Sequence, residues 1–170
     1  GILDFSALVY DTTANKGPGE TDNLTGSYIS CSTDGFVPGQ DFAWAFVVHN
    51  NSPDNEFIEH IKMDFPQGII VNTATNFSGG SLGDLQFPGA TGNGATLNWH
   101  GTNLGGDRGV IKPGETATTI ISGTMNESFF NDVFIVYSIR GDSIGAEPHA
   151  PSGYVKLKNY SLPSAWLTLS

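Results

Sequence analysis

The chain has 170 residues, and its 17 acidic and seven basic side chains give a formal net charge of −10 at pH 7. Nucleic acids and anionic membranes both attract clustered Lys and Arg, so this balance excludes both classes of partner. No stretch has the length and hydropathy of a membrane span or a signal peptide. We therefore expect one domain with a substantial core and without membrane insertion.

Apolar residues alternate with small or polar ones along most of the chain, and turn-forming residues separate these runs. The 22 Gly and nine Pro residues are scattered rather than clustered. No run has apolar residues at helical spacing over three turns, so the pattern predicts an all-β domain. Cys31 has no second cysteine to pair with, and we expect it to be a small buried residue.

The first 26 residues read as a strand, over residues 1–10, followed by a long polar loop. This loop carries Asp11, Glu20 and Asp22, whose carboxylates are of the kind that calcium prefers. Their spacing matches no EF-hand loop, and an ordinary solvated surface loop is the alternative.

Two alternating runs follow and form the predicted centre of the domain. After the turn at Pro38-Gly39, large apolar side chains fall on one face of residues 42–48, and the same happens over residues 57–65. A loop dense in turn formers, residues 50–55, joins the runs, so we predict that they pair as antiparallel strands.

Four more strands are predicted over residues 97–101, 116–124, 133–140 and 154–158, with the last two forming a hairpin. Seven to nine strands with such turn signals indicate an immunoglobulin-like antiparallel β-sandwich over residues 1–160. The predicted core is Phe42, Trp44, Phe46, Val48, Ile61, Met63, Phe65, Leu97, Ile135, Tyr137 and Val155.

The loop between the last two strands holds the most suggestive polar residues. Asp142, Glu147 and His149 have the donor atoms of a transition-metal site, while carboxylates with backbone carbonyls would suit calcium. The alternative is a hydrogen-bonded latch across the loop. Arg140-Gly141-Asp142 forms the triplet that integrins recognise, which we interpret as a strand end followed by a turn.

No motif predicts catalysis. The chain has four histidines, each isolated from any recognisable nucleophile, metalloprotease or phosphate-binding motif, so we predict a non-catalytic domain. A carbohydrate-binding surface would need exposed rings in a row, and the available tyrosines form no clear stripe. These residues are His49, His60, His100 and His149, and Tyr10, Tyr28, Tyr154 and Tyr160.

Several short motifs, taken together, resemble those of a known family. Pro38-Gly39-Gln40, the polar run 50–53, the strand end 65–71 and the motif 111–115 are similar to the extracellular conserved-repeat domains of bacteria. The resemblance covers roughly residues 36–157 and implies an immunoglobulin-like module of a secreted or cell-surface multidomain protein.

The resemblance implies a non-catalytic accessory or spacer module that supports adhesion and contacts neighbouring domains, a glycan or a cell-surface partner. A carbohydrate-binding module attached to a secreted hydrolase is the alternative. The tail, residues 161–170, looks like the opening of another sandwich module, so we expect a linker or the first strand of a following module.

Overall fold

The computed structural model describes residues 24–106, 108–144 and 148–161, in which the chain forms two β-sheets packed face to face. The predicted all-β sandwich is confirmed, while the predicted first strand and the tail lie outside the described residues. The strands are β1 Tyr28–Cys31, β2 Gly35–Phe36, β3 Asp41–His49, β4 Ile58–Asp64, β5 Ile69–Ala74, β6 Phe77–Gly80, β7 Gly83–Leu85, β8 Gly92–Asn93, β9 Thr96–His100, β10 Thr116–Met125, β11 Val133–Gly141 and β12 Ser152–Asn159.

The order of the strands is that of an immunoglobulin-like sandwich. The seven-stranded sheet runs β1-β3-β10-β5-β8 with β6 and β7 attached, and the five-stranded sheet runs β2-β12-β11-β4-β9. The series β1-β3-β10-β5 and β12-β11-β4 correspond to the two sheets of the constant-type immunoglobulin domain. Strand pairs within the described residues are antiparallel, apart from β2 and β12, which are parallel.

The predicted pairing of the two central runs is wrong. β3 lies between β1 and β10 in one sheet, and β4 lies between β11 and β9 in the other. Alternation fixes which face of a strand is buried, but two strands that face each other across a core show the same alternation as two neighbours in one sheet. The predicted hairpin of β11 and β12 is confirmed.

A buried amide holds the chain where it crosses between the sheets after β3. The Asn50 Nδ2 group donates to the carbonyl oxygens of Glu56, at 3.0 Å, and Ile111, at 2.8 Å. Its Oδ1 atom accepts from the Ser27 hydroxyl at 3.4 Å and the Ser52 amide at 3.0 Å. These bonds fasten the crossing to three other parts of the chain.

The core matches the predicted one closely. Phe42 and Cys31, both predicted to be buried, are half-buried, and the other predicted core residues are at most 8% exposed. The Trp99 ring is fully buried and its Nε1 donates to the Thr75 carbonyl at 2.8 Å. Cys31 is half-buried against the core, and this burial raises the pKa of its thiol.

We predict that Trp44→Ala costs about 3–5 kcal/mol of unfolding free energy, the range for truncating a buried large aromatic. The ring is 6% exposed and stacks on Phe42 at a centroid distance of 3.9 Å. Urea denaturation measures the loss. Val47→Ala, on the opposite face of β3, is the control, and a loss for Trp44→Ala below about 1 kcal/mol would contradict the packing described here.

Candidate functional site

A cluster of four ionisable side chains lies where β4 begins and β11 ends. Glu56 precedes β4, Asp142 follows β11, Arg108 comes from the loop before β10, and His149 precedes β12. Three separate loops therefore meet at this end of the five-stranded sheet. We call these four residues the polar cluster.

Asp142 is almost fully buried and uses both carboxylate oxygens. Its Oδ2 accepts from Arg108 Nε at 2.6 Å and from the Gly109 amide at 3.2 Å. Its Oδ1 accepts from the amides of Phe57, at 3.4 Å, and Ile144, at 3.3 Å. Through these four donors the Asp142 carboxylate holds its own loop to the loop of Arg108 and to the start of β4.

Besides binding Asp142, Arg108 contacts the chain just before β4. Its guanidinium lies 3.6 Å from the centroid of the Phe57 ring and also donates to the Asn55 carbonyl. A cation over an aromatic face is attracted by the ring quadrupole. Arg108 thus bridges the chain on both sides of Glu56 to Asp142.

Glu56 is fully buried, with its Oε1 atom 2.9 Å from His149 Nδ1 and 3.4 Å from the Ser143 amide nitrogen. Its Oε2 atom has no hydrogen-bond partner among the described residues. Burial raises the pKa of the Glu56 carboxyl, and the hydrogen bond with His149 acts in the opposite direction. A Cβ atom at Gly141 would lie 1.9 Å from Oε1, so only glycine fits beside this carboxylate.

The structure thus brings together Asp142 and His149 from the predicted site. Glu147, Asp11, Glu20 and Asp22 lie outside the described residues. In the part of the chain that is described, no group of three or more His, Cys, Asp and Glu is placed to hold a metal ion. The site of a divalent cation at these six residues stays a prediction, and the described contacts of Asp142 and His149 have the character of a latch.

No pattern in the sequence predicted Glu56 and Arg108, the two partners of the latch. Glu56 is 93 positions from His149, and Arg108 is 34 positions from Asp142. No local motif joins residues at such distances. The Arg140-Gly141-Asp142 triplet is not displayed as a recognition loop, because the Asp142 side chain is 2% exposed and bound to Arg108.

A second candidate site is the solvent-facing side of the five-stranded sheet, which we call the outer face. It carries three exposed apolar side chains from neighbouring strands: Phe134 (46% exposed), Val136 (50%) and Tyr154 (48%). The Phe134 and Tyr154 rings meet edge to face, with centroids 5.3 Å apart and planes at 70°. Phe134 and Val136 are thus apolar residues of β11 that face solvent.

The outer face also concentrates positive charge in an acidic protein. Four of the seven Lys and Arg residues of the chain project from its strands. Two of the lysines pair with carboxylates at 2.8 and 2.9 Å, but such exposed pairs contribute little and rearrange easily. The basic residues are Lys62, Arg140, Lys156 and Lys158.

The other histidines lie apart from the polar cluster. The His49 ring stacks on Tyr28 with centroids 4.3 Å apart and planes at 10°. His60 and His100 are neighbours across β4 and β9, with ring centroids 6.4 Å apart, and burial lowers the pKa of His60. The His49 Nε2 atom also lies 3.2 Å from the Ser30 hydroxyl oxygen, and the His100 Nε2 atom lies 3.0 Å from Glu59 Oε1.

The comparisons with known proteins find similar folds at low identity. No family model and no curated protein matches the chain. A cohesin module from a family 33 glycoside hydrolase of Clostridium perfringens is 13% identical, with a TM-score of 0.46, and the match covers 78% of this chain and 97% of that one. The collagen-binding subdomain of the Enterococcus faecalis surface protein ACE is 11% identical, with a TM-score of 0.44 and coverage of 78% and 96%.

A family 123 glycoside hydrolase from Clostridium perfringens is also similar, at 11% identity and a TM-score of 0.33, over 78% of this chain and 27% of that one. At this level of similarity nothing about the function of this chain follows. The assignment of the sandwich rests on the order of its strands. Among the described residues, no helix has the length and hydropathy needed to cross a membrane.

We predict that Glu56→Gln removes a pH-dependent loss of stability. Because the pKa of Glu56 is raised in the folded state, the folded protein retains this proton where the unfolded chain has released it. Unfolding free energy should therefore fall as the pH rises from the ordinary glutamate pKa of about 4.3 toward the raised folded value.

Urea denaturation between pH 4 and pH 8 tests this, with Glu127→Gln, an exposed glutamate outside the cluster, as the matched control. The difference in stability between Glu56→Gln and the natural protein should grow in favour of the variant as the pH rises. A difference that is constant across this range would show that folding leaves the pKa of Glu56 unchanged.

Proposed function

We propose that this chain is a non-catalytic spacer module of a larger secreted or cell-surface protein, and that it bears mechanical load. The observation that carries the proposal is the parallel pairing of β2, near the start of the described chain, with β12, its last strand. The polar cluster supports the same function because it fastens three loops at one end of the sandwich. The resemblance to extracellular repeat modules is in agreement with it.

The two strands are joined by short backbone hydrogen bonds. The Lys158 amide donates to the Asp34 carbonyl at 2.8 Å, and the Tyr160 amide donates to the Phe36 carbonyl at 2.9 Å. Tension from the amino side passes through β1, which pairs with β3, and then reaches the amino end of β2, while tension from the carboxyl side enters β12 at its carboxyl end. These are opposite ends of a parallel pair. The load therefore acts along the strands, so these bonds must break together rather than one after another.

Side chains reinforce the junction of β2 and β12. The Tyr160 hydroxyl donates to an Asp34 carboxylate oxygen, which ties the two strands beyond their backbone ladder. A Cβ atom at Gly35 would lie 2.6 Å from the Tyr160 ring and 2.7 Å from the Lys158 carbonyl. The absence of a side chain at Gly35 thus permits the close approach of the strands.

We predict that Lys158→Pro lowers the force needed to unfold the domain, because proline has no amide hydrogen to donate to the Asp34 backbone carbonyl. Lys156→Pro is the matched control. Two positions earlier on the same edge of β12, the Lys156 amide points the same way, and the described residues include no partner for it. Single-molecule pulling on tandem copies of the full chain measures the force, which reports the unfolding rate under load.

Natural and Lys156→Pro domains should unfold at similar, high forces, and Lys158→Pro at a distinctly lower force. If Lys158→Pro and Lys156→Pro unfold at the same force, the β2–β12 junction does not carry the load. Urea denaturation of both variants separates a general loss of stability from a mechanical one.

The outer face favours a second candidate function, the binding of an anionic polysaccharide. Phe134 and Tyr154 supply exposed rings, and the basic side chains around them complement carboxylates. Asn98 and Thr96, on the strand beyond β4, add polar groups for sugar hydroxyls. The 70° angle between the rings means that one ring, rather than a flat pair, would stack on a sugar.

We predict that soluble polygalacturonate retards the domain in affinity electrophoresis and that the uncharged polysaccharide xylan does not. Tyr154→Ala should abolish the retardation because it removes an exposed ring beside the basic residues. The control is Ile120→Ala, which changes an exposed apolar residue (49%) of the other sheet. Equal migration of the natural domain with and without polygalacturonate would exclude this candidate and leave the spacer function in place.

A further inference from the structure

One edge of the seven-stranded sheet is only half covered. β1 pairs with β3 from His49 to Phe46, and Ser32 extends the ladder by one bond to the Ala45 carbonyl at 2.8 Å. The chain then leaves this sheet and joins β12 as β2. The first part of β3, from Asp41 to Ala43, has no strand on this side among the residues that the structure describes.

The backbone groups of this uncovered edge point outward. In an antiparallel ladder, every second residue directs both its N–H and its C=O to the same neighbour. Because Ala45 bonds to Ser32, the amide and carbonyl groups of Ala43 and Asp41 face the same side. Both residues are exposed. Such an edge is a template for the pairing of another strand.

A cavity of about 340 Å³ opens beside this edge. It lies between β3 and the β2–β12 junction. At this place the chain passes from the seven-stranded to the five-stranded sheet, and the described strands leave the edges of both sheets uncovered. Polar and apolar groups contribute about equally to its wall. The apolar part includes the stacked rings of Phe42 and Trp44, and Asp41 is the one charged side chain among the described lining residues. Phe36, Met125 and Tyr160 also line it.

We propose that this edge and cavity hold the C-terminal segment of the same chain, with residues 166–169 added as a strand beside β3. The added strand directs its backbone to Asp41 and Ala43, and places an apolar side chain in the cavity. Addition of a strand to an open edge combines backbone hydrogen bonds with a side-chain pocket. The proposal does not depend on the spacer function.

Position, composition and length favour this segment over another occupant. Tyr160 lines the cavity, so the segment begins at its rim, and Pro163 favours a turn immediately after it. Residues 162–170 contain one Trp, three Leu and no charged side chain, which suits the apolar part of the wall around Phe42 and Trp44. Four extended residues span about 13 Å, enough to cover the roughly 10 Å of the three uncovered residues of β3.

Amide hydrogen exchange of the full chain tests the proposal. The Ala43 amide should exchange slowly in the natural protein, and at least about tenfold faster in Thr168→Pro, which cannot pair as a strand. Thr168→Ala is the matched control and should retain the slow exchange. The Val47 amide, which β1 covers, should be unaffected in both variants.

Trp166→Lys is a second variant, because a charge in place of the ring should also release the Ala43 amide. Fast exchange of Ala43 in the natural protein would overturn the proposal, and so would slow exchange that Thr168→Pro and Trp166→Lys leave unchanged. Slow exchange that is lost on dilution would assign the edge to a second copy of the chain, which contradicts pairing within one molecule.

Discussion

The arrangement of the two sheets depends on one buried amide side chain, that of Asn50. It stands at the point where the chain leaves one sheet for the other, and it binds the carbonyl groups of Glu56 and Ile111 as well as Ser27 and Ser52. A buried donor or acceptor without a partner costs about 1–3 kcal/mol. The four partners of Asn50 therefore have to be in place together, which defines the crossing.

The crossing and the polar cluster share a residue. The backbone of Glu56 binds Asn50, and its side chain faces His149. Arg108 reaches the next residue on either side, through the Asn55 carbonyl and the Phe57 ring. One end of the sandwich is thus held by a continuous polar network, whereas the β2–β3 side has an open cavity.

The sequence predicted the faces of the strands better than their partners. Alternation was sufficient to identify Trp44, Met63 and Leu97 as core residues, because burial on one face depends only on neighbours along the strand. The partners of β3 and β4 depend on residues far away in the chain, and a hairpin of the two would have shown the same pattern. For the same reason the sequence predicted only two of the four residues of the polar cluster. Asp142 and His149 lie in one loop, but Glu56 comes from a distant part of the chain.

The outer face shows a different limit of the sequence. Phe134 and Val136 alternate with buried Val133, Ile135 and Tyr137, so β11 reads as apolar on both sides. Such a run is typical of a strand covered on both faces. The described residues leave one face of β11 in contact with solvent. Composition cannot distinguish a covered face from one that serves as a binding surface.

The pairing of β3 with β10 has a consequence for the order in which the domain assembles during synthesis. These strands have the longest ladder in the sandwich, from His49 opposite Thr116 to Asp41 opposite Thr124. At translation rates of 5–20 residues per second, the roughly 70 intervening residues take on the order of 4–14 s to appear. For that time the backbone amide and carbonyl groups on this edge of β3 have no final partner. The apolar face of β3, with Trp44 and Phe46, packs against the other sheet, whose strands β11 and β12 emerge later still, so the nascent chain presents these rings to chaperones until then.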